Sequence, residues 1–386
     1  MGEMNFDNIR PYTEQEAREA IQRITRQSEF NTILSYIFSK EQHEELTQKV
    51  RNAKSIHEFQ NEFMRPLVEN ILSKTSKGVS DTGFEKLKSD KQRLFVANHR
   101  DITLDSSILA LLLVEHGYES CEITWGDNLI ASPFVEDFGK INRMITVFRE
   151  GTLRQTMLYS RKLSAYIRKR ILDEKKAVWI AQGKGRTKNG DDKTDVGVLK
   201  MLTLEGNEEL SEKIETLNIT PVSISFEWEP CDILKTKELY VSIKRKYIKD
   251  KKEDLNSIIG GILGQKGHIH LSICNPVNQV IKKWNSEITN KEFFQKLASQ
   301  IDKEIYENYK LWPSNFLAYD LLNKSGKFTD RYNKETKEIF DEHLRKTFSA
   351  IEVDKNEEGT VRHLFLSIYA NPVINKLKYN FSVDKP

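Results

Sequence analysis

Residues 94–106 read Leu-Phe-Val-Ala-Asn-His-Arg-Asp-Ile-Thr-Leu-Asp-Ser, an apolar run that ends in a polar turn and opens into a second apolar stretch. A histidine at such a strand-to-helix junction stands where α/β sheets present reacting groups. His99 has two carboxylates close behind it, Asp101 and Asp105. A carboxylate that accepts a hydrogen bond from one imidazole nitrogen fixes the tautomer and leaves the other nitrogen as a base. The residues alone leave open which carboxylate does so. They also leave open a plainer role for His99 as a helix cap or turn residue. In a second segment, Val147–Thr152, Arg149 stands at a strand end, where a guanidinium can clamp a phosphate with paired hydrogen bonds or simply pair with Glu150. In a third, Val178–Gly190, an apolar strand opens into a loop with Gly183, Lys184, Gly185, Arg186 and Lys188. Glycines let backbone N–H groups approach an anion and the cations add charge, although the spacing of a nucleotide-binding P-loop is absent. The fourth, Ile219–Phe226, is a strand with Pro221 near its start, a permitted position. His268 and His270 alternate along one further run, and with His99, Asp101 and Asp105 they suggest a metal-dependent phosphoesterase as a competing reading.

The elements that must hold these residues follow from periodicity. Short apolar runs at Leu94–Ala97, Glu122–Trp125, Met144–Phe148, Ala177–Ala181, Pro221–Phe226, Leu239–Ile243 and His268–Ile273 predict strands. Helical stretches intervene at Thr103–His116 and Gln155–Asp173. This alternation predicts an α/β fold, a mixed and largely parallel sheet flanked by helices, over residues 80–285. Apolar spacing before and after it predicts a helical N-terminal region, 1–79, and a helical C-terminal region, 286–386. Lys74–Lys88, rich in Ser, Gly and Lys, reads as a linker or turn.

Composition bounds the function. With 386 residues, 38% hydrophobic and 30% charged, the chain is globular and can bury a sizeable core. A net charge of +3 gives no ground for a nucleic-acid partner. Two local runs are basic. Residues 161–176 hold seven Lys or Arg against two acids, and 235–252 hold eight against two. Each is either a solvated face or a contact with an anionic membrane surface. Three cysteines without metal-type spacing fit a reducing compartment. The polar first residues do not read as a signal peptide, and Phe6 stands where a myristoylation signal needs a hydroxyl. The longest apolar run, Ile108–Val114, is far short of the roughly 20 residues that span a bilayer.

Taken in order, the four segments resemble the four blocks of the glycerol-3-phosphate and lysophosphatidate acyltransferase superfamily. Asn98-His99 with Asp105 resembles the first block and Arg149 the second. Gly183-Lys184-Gly185-Arg186 resembles the third and Thr220-Pro221-Val222 the fourth. The wording around His99 is similar to a soluble-looking bacterial branch of that family. Five residues rather than four separate His99 from Asp105, and Lys184 stands where the family has Glu. Phe148–Thr152 keeps Glu-Gly-Thr but lies too near His99 for the third block. The resemblance implies catalytic His99 and Asp105, and substrate contacts from Arg149, Lys184, Gly185 and Arg186. It implies no cofactor and no metal. An acyl thioester on acyl carrier protein or coenzyme A would be the donor, and a glycerol-phosphate or lysophospholipid hydroxyl the acceptor, in phospholipid biosynthesis. The expected setting is a bacterial cytoplasm, peripherally on the inner face of the membrane. The alternative of another class is a lipid-binding protein that keeps the fold without the chemistry.

Overall fold

A computed structural model describes residues 4–87, 92–248, 250, 252–284 and 288–383. Seven strands, β1 (Gly78–Thr82), β2 (Leu94–Ala97), β3 (Glu122–Gly126), β4 (Met144–Val147), β5 (Val178–Ala181), β6 (Thr220–Phe226) and β7 (His268–Ile273), form one sheet. Their order is β1-β7-β6-β2-β5-β3-β4. From β6 to β4 all neighbours run parallel, β7 is antiparallel to β6, and β1 pairs parallel with β7. The sheet is mixed and largely parallel, as expected. The helices that matter here are α1 (Leu104–Glu115), α2 (Leu153–Arg168), α3 (Asp232–Lys244), α4 (Glu253–Leu263), α5 (Asn290–Asn308), α6 (Pro313–Asn323) and α7 (Glu358–Lys378).

Alternation along the central strands divides the core. Phe95 and Ala97 of β2 join Trp179 of β5 against α1 and the helices between residues 14 and 75. Leu94 and Val96 join Val178 and Ile180 against α2, α5 and the short helices Val196–Leu202 and Leu210–Leu217. Successive side chains point to opposite faces, so strands covered on both sides must be apolar throughout. That is why β2 and β5 read as unbroken apolar runs. A separate cluster ties Trp228, just beyond β6, to α6, α7 and the helix Lys334–Ile351. Among the described residues no helix is long and apolar enough to cross a membrane.

Two local expectations are corrected. Leu239–Ile243 is part of helix α3, not a strand. Asp232, Lys235, Thr236 and Tyr240 are its buried positions, a helical spacing, and packing against α7 overrides the β propensity of Tyr-Val-Ser-Ile. The stretch read as a linker contains β1, an edge strand that no apolar run announces because its burial alternates with exposure; Lys88, at its end, lies outside the described residues.

His270 of β7 faces β1. Its Nδ1 is 2.8 Å from the Ser80 hydroxyl, and its Nε2 is 3.0 Å from Ser272 and 3.3 Å from Thr82. Among the described residues no group of three or more His, Cys, Asp or Glu is placed to hold a metal ion. Burial, helped by Lys310, pushes the ring's pKa down from 6.5 to about 4. Between those values the unfolded chain takes up a proton that the folded chain refuses, so stability falls as pH drops through this window. From pH 6.5 to pH 4, His270→Gln should therefore lose less unfolding free energy than the parent. The difference in denaturant titrations should be on the order of 2 kcal/mol. Equal losses in both proteins would mean that the ring is solvated.

Candidate active site

The turn after β2 is organised around one oxygen. Asp105, in the first turn of α1, points back so that its Oδ2 accepts from His99 Nδ1 at 2.8 Å. The same oxygen accepts from the backbone N–H groups of Arg100 at 2.6 Å and Asp101 at 3.0 Å. The extra residue between His99 and Asp105 is thus absorbed by wrapping the turn round the carboxylate. Asp101 has a different task. Its Oδ1 accepts from the N–H groups of Thr103 and Leu104, at 2.9 and 2.8 Å, and so caps α1. The geometry gives Asp105 the bond to the imidazole and Asp101 the helix cap.

With Nδ1 occupied, Nε2 is the nitrogen left to a substrate. The His99 side chain keeps 13% of its surface exposed, and the edge of Trp179 packs against its ring at 5.6 Å between centroids. Burial pushes the Asp105 carboxyl pKa up, while the hydrogen bond from His99 opposes that shift. Three donors on a single oxygen suit the carboxylate form, which in turn stabilises an imidazolium.

Beneath the turn lies a buried ionic network. Arg100 is completely buried. It donates to Glu229 Oε2 at 3.0 Å, to Asp192 Oδ2 at 2.5 Å and to the Gly190 carbonyl at 3.2 Å, and it stacks over Tyr309. Lys235 of α3 donates to Glu229 Oε1 at 2.5 Å and to the Arg100 carbonyl at 2.7 Å. Burial works against the Arg100 charge, but Asp192 and Glu229 outweigh it and hold the guanidinium ionised. Asn98 closes the set by exchanging hydrogen bonds with the Ile224 backbone and donating to Asp192. Gly190 adopts φ +76°, and the Ile368 carbonyl of α7 approaches so closely that no side chain fits there. Only Asn98 of this set was marked by its sequence. The partners of Arg100 are about a hundred residues away along the chain, and nothing local announces the pairing.

The loop after β5 is fastened beside His99, since the Thr187 N–H donates to the His99 carbonyl at 2.8 Å. Lys184 and Gly185 are exposed on it. Arg186 is half-buried beside Cys231, and its Nη1 is buried without a hydrogen-bond acceptor among the described residues. Lys188 turns away into an ion pair with Glu238 of α3. Arg149 lies at the corner between β4 and α2, exposed, with its backbone N–H on Asp127 at 3.2 Å. The structure therefore joins His99 to Asp105 and brings the Arg186 loop alongside, whereas among the described residues no hydrogen bond or ion pair joins Arg149 to either.

Residues 78–224 match the family model described as Acyltransferase. No curated protein matches the chain. Among solved structures it is similar to the crystal structure of the 1-acyl-sn-glycerophosphate (LPA) acyltransferase, PlsC, from Thermotoga maritima. Identity is 14%, with 74% of this chain and 94% of that chain covered and a TM-score of 0.36.

Removing one member of a buried ionic set leaves its partners uncompensated, at a cost of about 3–5 kcal/mol. Arg100→Met should lower the unfolding free energy by that amount in denaturant titration. Arg65→Met, which breaks the exposed pair with Glu69, should change it little. Similar small effects for both would mean that the network contributes nothing.

Proposed function

We propose, from the match of residues 78–224 to the acyltransferase family model, that the chain moves a fatty acyl group from a thioester to a lipid-precursor hydroxyl. The donor is an acyl chain on acyl carrier protein or coenzyme A. The acceptor is glycerol 3-phosphate, 1-acylglycerol 3-phosphate or a close relative. The reaction runs at the inner surface of a bilayer, in phospholipid biosynthesis. The observation that carries this reading is the 2.8 Å bond from His99 Nδ1 to an Asp105 carboxylate that two backbone N–H groups already hold.

In this reading Nε2 takes the acceptor's hydroxyl proton as the oxygen attacks the thioester carbonyl. Asp105 stabilises the imidazolium that forms. Collapse of the tetrahedral adduct breaks the C–S bond, and the proton passes to the departing thiolate. General-base help of this kind is worth roughly 10²–10⁴ in rate. No Ser or Cys is needed as nucleophile. The unpartnered Nη1 of Arg186 supports an anion-binding role for that side chain, with Lys184 and Gly185 on the same loop and Arg149 contributing charge.

Incubation with labelled acyl thioester and 1-acylglycerol 3-phosphate tests the reading. Label should appear in the diacyl product with or without chelator. His99→Ala should abolish transfer while leaving the thermal transition near the parent's. Asp105→Asn should lower kcat by on the order of 100-fold or more. Asp101→Asn should leave kcat near the parent's, because an asparagine Oδ1 can still accept from both N–H groups, whereas Asp101→Ala should lower stability by about 1 kcal/mol through the lost cap. Lipid binding without transfer by the parent would favour the non-catalytic alternative. Full transfer by His99→Ala would contradict the proposal.

The lysine at position 184 has its own test. With Lys188 neutralised by Glu238, Lys184 and Arg186 are the cations of this loop left for an acceptor phosphate. Lys184→Ala should raise the acceptor's KM more than the donor's, with a smaller effect on kcat. Lys184→Glu should be worse, because it repels the phosphate. Parental activity in Lys184→Glu would remove any binding role.

A further inference from the structure

Among the described residues, every strongly exposed large apolar side chain except Tyr36 falls in two segments, 153–158 and 243–263. Helix α4 is built the reverse of a helix on a wetted surface. Its inward face carries small residues, with Ser257 and Gly261 buried, and Gly261 lies against Asp101 Oδ2 too closely for any side chain. Its acids also turn toward the protein: Glu253 accepts from the Tyr247 hydroxyl, and Asp254 from Asn128 Nδ2 at 2.9 Å. Leu255, Ile259 and Leu263 repeat every four residues, so they form one stripe, and they face outward at 54%, 45% and 47% exposure.

Helix α2 behaves alike at its start. Residues 153–158 are all exposed, Leu153 at 93% and Met157 at 55%. The two helix starts meet at one corner. Asn128 binds Asp254 of α4, and neighbouring Asp127 accepts from the backbone of Arg149, which leads into α2.

The rim of this apolar face is basic. Arg245, Lys246 and Lys252, in the segment that leads into α4, and Arg154, next to Leu153, are exposed, as are the acids Glu150 and Asp250. In the other basic run, 161–176, four of the seven cations are held in close ion pairs. Arg161 pairs with Glu205, Arg168 with Glu208, Arg170 with Glu122 and Lys176 with Glu119.

We propose that the outer faces of α4 and of the first turns of α2 together dock the protein on an anionic lipid bilayer. Leu255, Ile259, Leu263, Leu153 and Met157 enter the interface, and the flanking cations meet the headgroups. An acidic carrier protein would use the cations but gives no reason for an apolar stripe two turns long. The inference rests on the bilayer location in the proposed reaction, though docking is measured without any transfer. It also gives that reaction a geometry. Because α4 lies directly on the Asp101 turn, a membrane on its outer side sits about one helix diameter, roughly 10 Å, from the turn that carries His99.

The test is co-sedimentation of the full chain with vesicles of phosphatidylcholine and phosphatidylglycerol. The parent should bind, more weakly as salt rises. The triple variant Leu255→Ser/Ile259→Ser/Leu263→Ser should lose on the order of 100-fold in partitioning. Its thermal transition, and any transfer between water-soluble short-chain substrates, should stay unchanged. Leu153→Ser/Met157→Ser should lose about tenfold and tests the same face at another helix. Absence of vesicle binding by the parent, or parental binding by either folded variant, overturns the proposal. So does a raised KM for acyl carrier protein with vesicle binding intact, which would make this face a carrier dock. Stripe-dependent binding by a parent that transfers no acyl group would retain the docking face and remove the proposed reaction.

Discussion

A fully buried arginine governs the architecture around His99. The Arg100 guanidinium has no contact with solvent, so its charge must be met inside the protein or the turn cannot fold as it does. Asp192 comes from the loop after β5, Glu229 from the end of β6, and Lys235 from α3. One buried residue, through its guanidinium and its carbonyl, therefore ties three other segments to the turn. The demand reaches further out. Tyr306 of α5 donates to the Asp192 carbonyl at 2.5 Å. Tyr369 of α7 donates to Asp232 of α3 at 2.7 Å and accepts from the Glu229 N–H. The C-terminal helices are thereby coupled to the site without contributing a reacting group.

On this frame the polar residues of the turn divide their work. Asp105 spends one oxygen on the imidazole and two backbone N–H groups, which sets both the tautomer and the path of the chain. Asp101 starts α1 and presses its other oxygen against α4. The neighbouring loop adds cations whose fates differ. Lys188 is neutralised by Glu238, Lys184 stays in solvent, and Arg186 is half-buried with one nitrogen unanswered. Charge is balanced below the turn and left in excess beside it, which is the distribution an anionic acceptor requires.

Much of this was legible in the sequence, and the failures have physical causes. Six of the seven strands stood out through runs of apolar and β-branched residues, unbroken in central strands covered on both faces, as in Leu94–Ala97 and Val178–Ala181. β1 was invisible because none of its residues is buried, so nothing required an apolar run there. Leu239–Ile243 misled because β-branched and aromatic residues there serve a helix held by α7. His99 and Asp105 were legible from spacing near a strand end, but the choice between Asp101 and Asp105 was not. That choice depends on how five residues wrap, which only backbone coordinates reveal. Arg100 escaped notice for a related reason: a charged residue looks like surface until its distant partners are known.

The central claim is that Asp105, and not Asp101, holds His99 with its proton on Nδ1 and leaves Nε2 as the base. Nuclear magnetic resonance of isotope-labelled histidine reads this directly, with the His99 signals assigned by their absence in His99→Gln. In the neutral form of the ring, the parent and Asp101→Asn should both show a single tautomer protonated at Nδ1, and Asp105→Asn should lose it. Persistence of that tautomer in Asp105→Asn, or its loss in Asp101→Asn, would contradict the account.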